Sequence, residues 1–143
     1  MANISSYPTA TPVSGDLILG TQLSATSVNK TRNFTAGSVT SAGLGYTSLV
    51  QLLTQTGTNA PVATEVYDNT GQTFTWARTT TGIYTLTASA TTFTANKTIV
   101  FFNNGNAAPN ANKWTRTSDT VLTLTIGIDN ALTNGSFEVR IYV

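Results

Sequence analysis

The last part of the chain, residues 120–143, alternates apolar and polar side chains over two separate runs. Residues 121–128 place leucine and isoleucine at every second position, and residues 136–143 do the same with Phe, Val and Ile. Because successive side chains of a strand point to opposite faces, each run predicts a strand with one buried face. The connector, residues 129–135, ends in Asn-Gly, which suits a hairpin or a long turn. An isolated pair of strands is marginal in water, so the rest of the chain must supply a second layer.

Further short runs of strand character follow one another from residue 46, separated by turn residues. Residues 47–54 also fit a short helical stripe of leucines, but their length and β-branched flanks favour a strand. Residues 97–102 are apolar on both faces, which predicts a central strand covered on both sides. With the last two runs the predicted strands number about eight, as is typical of an antiparallel β-sandwich, here expected to be jelly-roll-like. The remaining strands are predicted at residues 62–67, 73–78, 83–88 and 113–117.

Residues 1–45 differ in character from the rest of the chain. They contain few large apolar side chains and two prolines, at positions 8 and 12, which bias the preceding residues toward extended geometry. Residues 17–19 form a short apolar run, and residues 38–39 suggest the start of another short strand. The sequence therefore predicts two parts. Residues 1–45 are expected to form an extended N-terminal arm, or a small hairpin, that orders against a partner, and residues 46–143 are expected to form a β-sandwich domain.

Composition supports an all-β fold and association with other molecules. Thirty of the 143 residues are threonine and thirteen are asparagine, which favour pleated surfaces and turns respectively. The chain carries 7 basic and 6 acidic residues. A net charge near zero promotes association, so a stable oligomer is expected. The same balance leaves no basic patch for binding nucleic acid.

Several classes of function are excluded by residue types that the chain lacks. It has no cysteine and no histidine, which removes disulfides, thiol catalysis, Cys/His zinc sites and the usual general base near neutral pH. The longest apolar run, residues 99–102, is far shorter than a membrane span, so no membrane insertion is expected. The start of the sequence lacks the basic and apolar regions of a secretory signal, which predicts synthesis in the cytoplasm.

The carboxylates form no recognisable catalytic or metal-binding pattern. A glycosidase needs two facing carboxyl groups and a dedicated calcium site needs a spaced acidic loop, and the sequence marks neither. Asp68, Asp119 and Asp129 lie in or beside predicted turns, where Asp is expected to cap its own backbone. We therefore predict no catalytic residue, no metal site and no cofactor, and a protein that is not an enzyme.

The tryptophans are the side chains best suited to bind a ligand. Trp76 and Trp114, with Tyr84 and Tyr142, could form a platform that stacks on sugar rings. Trp76 alternates with threonine, which favours a place in the sandwich core. Trp114 lies close to two basic residues and beside a polar loop, so both core packing and contact with a glycan fit it, the latter together with Tyr142.

Several runs of the sequence carry a resemblance to a known class of proteins. The N-terminal runs are Ile4-x-x-Tyr-Pro8, Pro12-x-x-Gly-Asp-Leu-Ile-Leu-Gly-Thr21 and Asn29-Lys-Thr-Arg-Asn-Phe-Thr35 with Val39 after it. They resemble the N-terminal segment of many bacteriophage fibre and appendage proteins, in which a similar extended piece attaches the chain to the virion. A later set is similar to a β-rich module of phage structural proteins: Leu52-Leu-Thr-Gln-Thr-Gly-Thr-Asn-Ala-Pro61, Asn69-Thr-x-Gly71, Trp76-x-Arg78 and Gly82-Ile-Tyr84.

The resemblance implies a non-enzymatic structural protein of a bacteriophage virion, a head fibre or a capsid-decorating protein. Such proteins are commonly homotrimers, and the implied partners are other virion proteins of the capsid or tail. The alternative is a carbohydrate-binding or host-receptor-binding module of a tail fibre, which would contact a host surface glycan through Trp114 and Tyr142. We expect the arm to anchor the chain through aromatic and aliphatic side chains and one charge of each sign: Tyr7, Pro8, Asp16, Leu17, Leu19, Arg32 and Phe34.

Overall fold

The computed structural model of the protein describes residues 13, 15–22, 30–37, 39, 43, 45–106 and 112–142, with the backbone alone described at 20–22 and 30–32. The chain divides into two compact units, residues 1–44 and residues 45–143. In the part of the chain that the structure describes, no helix has both the length and the hydropathy needed to span a membrane.

The first unit contains a two-stranded antiparallel sheet, β1 (Leu17–Gln22) and β2 (Lys30–Thr35). Ile18 is paired with Phe34, and the Ala36 backbone N–H donates to the Asp16 carbonyl over 2.7 Å beside the end of the pair. The prediction of a further strand at residues 38–39 is wrong at Val39, which has helical backbone, as have residues 36, 37 and 43. A single β-branched residue is a weak local signal, and its surroundings override it.

The second unit is built from eight strands that form two four-stranded antiparallel sheets within residues 45–106 and 112–142. The first sheet has the order β4-β3-β10-β7 and the second has the order β5-β6-β9-β8. The first is made of β3 (Tyr46–Thr54), β4 (Val62–Asp68), β7 (Thr98–Asn103) and β10 (Gly135–Tyr142). The second is made of β5 (Phe74–Thr80), β6 (Ile83–Ala88), β8 (Lys113–Arg116) and β9 (Val121–Thr125).

This architecture confirms the all-β fold with antiparallel sheets, and it resolves the ambiguity at residues 47–54 in favour of a strand. The jelly-roll expectation is not confirmed. Three pairs of consecutive strands, β3 with β4, β5 with β6, and β8 with β9, are hydrogen-bonded neighbours within one sheet.

The two runs at the end of the chain do not pair with each other. β9 is central in the second sheet between β6 and β8, whereas β10 is central in the first sheet between β3 and β7. The connector, residues 126–134, therefore crosses from one sheet to the other instead of closing a hairpin. Asn130 and Asn134 adopt φ angles of 63° and 58° within it, a conformation that asparagine tolerates better than most residues.

The prediction of a central strand at residues 97–102 is also wrong. β7 is an edge strand, hydrogen-bonded to β10. Its inner side chains Thr98 and Val100 are buried, but Ile99 and Phe101 on the other face are exposed. Both faces of β7 are thus apolar, but the rest of the chain covers only one of them.

The core lies between the two sheets and receives side chains from both. Trp76 of the second sheet packs edge-on against Phe137 of the first, with ring centroids 5.1 Å apart. The indole N–H of Trp76 donates to the Gln51 side-chain carbonyl over 2.9 Å, which satisfies two buried polar groups at the sheet interface. Trp76 is 7% exposed, so its predicted place in the core is confirmed. The largest side chains with almost no exposure are Tyr84, Phe93, Phe137, Leu49, Leu53, Leu86, Leu122, Leu124, Ile126, Leu132 and Val139.

The turn between β5 and β6 depends on Gly82. This residue has a φ of 63°, and its carbonyl accepts a hydrogen bond of 2.7 Å from the Ile126 backbone N–H. A Cβ atom at this position would lie 2.3 Å from the backbone nitrogen of Ile128. The turn and the connector to β10 can approach this closely because residue 82 has no side chain.

We predict that Gly82→Ala lowers the free energy of unfolding by about 1–3 kcal/mol more than Gly71→Ala does. Both glycines have positive φ angles, 63° and 70°, so both substitutions introduce similar backbone strain. A Cβ at Gly71 meets open space, whereas one at Gly82 collides with backbone. Urea unfolding of the two variants measures the difference, and equal losses would show that the close approach at Gly82 is unimportant.

Candidate functional site

The predicted anchoring residues that the structure describes lie at and around β1 and β2. Leu17 and Leu19 are 65% and 71% exposed. They lie on the same face of the two-stranded sheet because they are two residues apart. Phe34 is half-buried and lies opposite Ile18, itself exposed, on the other face. Apolar side chains are thus presented on both faces of this small sheet.

The remaining predicted anchors contribute differently. Asp16 precedes β1, and its carboxylate accepts a hydrogen bond of 2.9 Å from the Val13 backbone N–H, so it stabilises the turn that starts the strand. Arg32 lies in β2 opposite Gly20, and its side chain is outside the part of the chain that the structure describes. Tyr7 and Pro8 are likewise outside the described residues.

A cavity of about 470 Å³ lies beside Trp114 in the second unit. Trp114 is half-buried on edge strand β8, with part of its ring packed against the core. The cavity is also lined by residues 94–96 and by Thr98 at the start of β7, and Asn96 has a φ of 61°. Arg116 also borders the cavity. Its guanidinium group is bonded within the chain, because Nε donates to the Phe93 carbonyl over 2.5 Å and an Nη donates to Asp119. The cavity therefore combines one aromatic ring with mostly uncharged polar groups.

The four aromatic side chains that the sequence offered for a sugar-binding platform do not come together. Trp76 and Tyr84 are buried in the core. Tyr142 lies on the outward-facing side of β10 in the first sheet, where its ring centroid is 5.2 Å from that of Tyr46. Tyr142 does not line the cavity beside Trp114.

The outer face of the first sheet carries exposed apolar side chains on all four strands. Leu49 and Leu53 of β3 are buried in the core, so the alternate positions Val50 and Leu52 face outward. Phe101 is 50% exposed and Val62 is 66% exposed. We call this surface the apolar face and define it by Leu52, Val62, Tyr67, Ile99, Phe101 and Tyr142, all of which are exposed.

Two charged side chains lie in the middle of the apolar face on β10. Arg140 Nε donates to a Glu138 carboxylate oxygen over 2.5 Å, and this hydrogen bond raises the pKa of Arg140. The guanidinium carbon is 5.2 Å from the centroid of the Tyr46 ring and 5.1 Å from that of Phe101. A cation between two aromatic rings is held in place by both. A depression of about 350 Å³ beside Phe101 and Glu138 makes this part of the surface concave.

The outer face of the second sheet has a different chemistry. On its central strands β6 and β9, buried leucines alternate with outward-facing threonines, and Thr85 is paired directly with Thr123. Threonine hydroxyls are solvated at little cost, and the β-branched side chain suits a pleated surface. Among the described residues of the second unit, every large hydrophobic residue that is exposed belongs to a strand of the first sheet and none to the second.

Asp129 is the best-connected carboxylate in the described structure. Arg78 Nε and an Nη each donate to a different Asp129 oxygen over 2.8 Å, and the Gly82 backbone N–H donates over 3.1 Å. These donors, the Arg78 hydrogen bond above all, lower the pKa of Asp129 from 3.8 to about 2. The carboxylate is therefore ionised at neutral pH and joins β5 and its turn to the connector between the two sheets.

This bonding corrects one of the turn predictions. Asp68 does cap its own turn, because the Thr70 backbone N–H donates to its carboxylate over 2.7 Å. Asp129 instead accepts from residues 47 and 51 positions away in the sequence. Asp119 pairs with Arg116 of β8. Over the described residues, no group of three or more Asp or Glu side chains comes together in a way that could hold a metal ion.

Comparison with known proteins found no matching family model, no similar curated protein and no similar solved structure.

The unfolding free energy is predicted to depend on Asp129 below about pH 4. A carboxyl whose pKa is lowered to about 2 by folding stabilises the native state above its ordinary pKa of 3.8, and the contribution is lost as pH falls toward 2. We expect Asp129→Asn to be less stable than the parent at pH 7, with the two unfolding curves converging toward pH 2. Urea titrations at pH 2, 3, 4 and 7 test this, and an unchanged pH profile in the variant would contradict it.

Proposed function

We propose that this chain is a non-enzymatic structural protein of a bacteriophage virion, a head fibre or a capsid-decorating protein. In this proposal residues 1–45 attach it to another virion protein of the capsid or tail, and residues 46–143 form the displayed β-sandwich. The observation that carries the proposal is the exposed apolar surface of the β1–β2 sheet, which belongs to a compact unit distinct from the sandwich.

A two-stranded sheet of this kind needs a partner to be stable. Two strands alone are marginal in water because they have no second layer to cover their side chains. Leu17, Ile18 and Leu19 are all exposed, although they occupy both faces of β1. Covering them with a protein surface removes apolar area from water and favours binding by roughly 25 cal/mol per Å². An attachment segment that becomes ordered on its target fits this arrangement.

The sandwich suits a displayed structural domain rather than an enzyme. Its core is closed by packing and hydrogen bonds between the sheets, and it contains no cysteine, so its stability does not depend on redox conditions. Its most perturbed carboxylate, Asp129, is bound by Arg78 and Gly82 and stabilises a chain crossing, which leaves it poorly placed to transfer a proton. On the particle we propose a homotrimer, as the resemblance implies.

We predict that Leu17→Asp together with Leu19→Asp reduces incorporation into virions at least tenfold. Burying two carboxylates in place of two leucines at the attachment surface costs well over the 1.4 kcal/mol that corresponds to a factor of ten. The measurement is the amount of this chain in purified particles after complementation of a phage that lacks it. A variant with Thr85→Asp and Thr87→Asp, on the outer face of the second sheet, is the control and should incorporate normally. Equal incorporation of both variants would refute attachment through β1.

A glycan-binding module of a tail fibre is the second candidate function, and the cavity beside Trp114 is the observation that favours it. An exposed aromatic ring can stack on a sugar, and the threonine and asparagine side chains of residues 94–98 can exchange hydrogen bonds with its hydroxyls. The volume of about 470 Å³ falls in the usual range for small-ligand sites.

Under this second candidate, neutral oligosaccharides should change the tryptophan fluorescence of the parent in a saturable way. Trp114→Ala removes the reporting ring, so its binding is measured by isothermal titration calorimetry and should be roughly tenfold weaker. The chain has 2 tryptophans, and Trp76 is buried, so the change reports on Trp114. Tyr142→Ala is the matched control and should bind like the parent, because Tyr142 does not line the cavity. A panel of neutral mono- and oligosaccharides that leaves the fluorescence unchanged at millimolar concentration would dismiss the candidate.

A further inference from the structure

The apolar face is the strongest unexplained feature of the second unit. The largest apolar patch of a soluble protein is often a functional surface. The sequence of β7 is apolar at successive positions, as in strands that are covered on both faces, yet the chain covers only one face. A second layer over Ile99 and Phe101 would complete the pattern.

We propose that this second layer is the apolar face of another copy of the chain, packed face to face about a two-fold axis that crosses β10 near Val139. The axis lies in the plane of the interface and perpendicular to β10, so that the two β10 strands run antiparallel above each other. This contact goes beyond the virion assignment and does not rest on it.

Charge complementarity selects a second copy over other partners. Glu138 and Arg140 are the charged residues among the outward-facing positions of the four strands, and they lie one on each side of Val139. The two side chains already pair with each other, so together they form one surface dipole along β10. A partner that carries the same pair in the opposite direction extends this pair into a network of alternating charges. Rotation about the proposed axis places Arg140 of the second copy over Glu138 and Glu138 of the second copy over Arg140. The face is its own complement.

The rows of neighbouring residues across the sheet are also compatible under the same rotation. The row that contains Glu138 and Phe101 meets the row that contains Arg140 and Ile99. Phe101 of each copy then packs on Ile99 of the other. Leu52 lies one outward-facing row further from Val139 than Glu138 does. It meets the row of Tyr46 and Tyr142, which lies equally far from Val139 on the other side. Each exposed apolar side chain on β3, β7 and β10 thus gains an apolar or aromatic neighbour.

The size of the face sets the expected strength of the contact. Four strands spaced about 4.8 Å apart, each offering about seven residues at about 3.3 Å per residue, span roughly 450 Å² per copy. Two copies then bury on the order of 900 Å², which is near the lower limit for specific association. We therefore expect a reversible dimer whose population depends on concentration in the micromolar range, rather than a permanent one.

Light scattering of the full chain over a concentration series from about 1 to 300 μM tests the proposal. We expect the mass to rise from 15.0 kDa toward twice that value. Leu52→Glu and Phe101→Glu should each remain monomeric at every concentration, because they bury a new charge. The matched control, Thr85→Glu together with Thr123→Glu on the outer face of the second sheet, should dimerise like the parent. Circular dichroism and cooperative urea unfolding establish that each variant is folded.

Charge reversal tests the two-fold register itself. Glu138→Arg alone places two cations opposite two cations, and Arg140→Glu alone does the same with anions, so each variant should be monomeric. An equimolar mixture of the two variants restores two opposite-charge contacts and should form a heterodimer. A change in the stability or folding of either variant alone could not produce that heterodimer. A mixture that stays monomeric would overturn the proposed register.

Two further outcomes would overturn the contact as a whole. One is a parent chain that stays monomeric at about 300 μM. The other is a mass of three copies that Leu52→Glu and Phe101→Glu leave unchanged, which would mean that association occurs elsewhere. Neither result bears on attachment through β1, which is measured by virion incorporation of a variant with an intact apolar face.

Discussion

The packing of Trp76 against Phe137 holds the two sheets of the sandwich together, and the rest of the second unit depends on it. The two rings meet edge-on at 5.1 Å, and the indole N–H finds its partner in Gln51 of the opposite sheet. Neither sheet can bury its inner side chains without the other, because a sheet with one apolar face needs a second layer. The connector from β9 to β10, fixed by Asp129, is what delivers Phe137 to the sheet opposite Trp76.

The strands of this fold were predictable from the sequence, but their neighbours were not. Alternation at residues 121–128 and 136–143 shows which side chains point the same way, and both runs are strands. It carries no information on which strand lies alongside, so the expected hairpin turned out to be a crossing between sheets. For the same reason the pattern of residues 97–102 indicated that both faces of the strand suit burial, but it gave the wrong place for the strand within the sheet. It shows that both faces suit a covered environment and leaves open whether the cover comes from the same chain.

The candidate sites show the same limit. Trp114 stood out in the sequence because of its type and its basic neighbours, and the structure places it beside a cavity. Two other residues of the cavity, Asn96 and Thr98, lie just before and at the start of β7. They belong to a polar stretch rich in Thr and Asn, and nothing in the sequence distinguishes them from the other residues of that stretch. The ion pair between Arg78 and Asp129 joins residues 51 positions apart in the sequence. The periodicity of a strand or a helix relates only residues within one element, so it could not predict this contact. Contacts that depend on tertiary pairing become visible once the sheet order is known.

The threonine-covered outer face of the second sheet determines what kind of assembly the sandwich can enter. A β-sandwich with two apolar outer faces could add a new copy to each side in turn and would grow into an open stack without a defined end. Here one face suits contact with protein and the opposite face suits contact with water. Association through the first sheet is therefore self-limiting: once that sheet is covered, the complex presents threonine on both of its exteriors. The many threonines then prevent further copies from stacking on the complex, and they also favour strand formation.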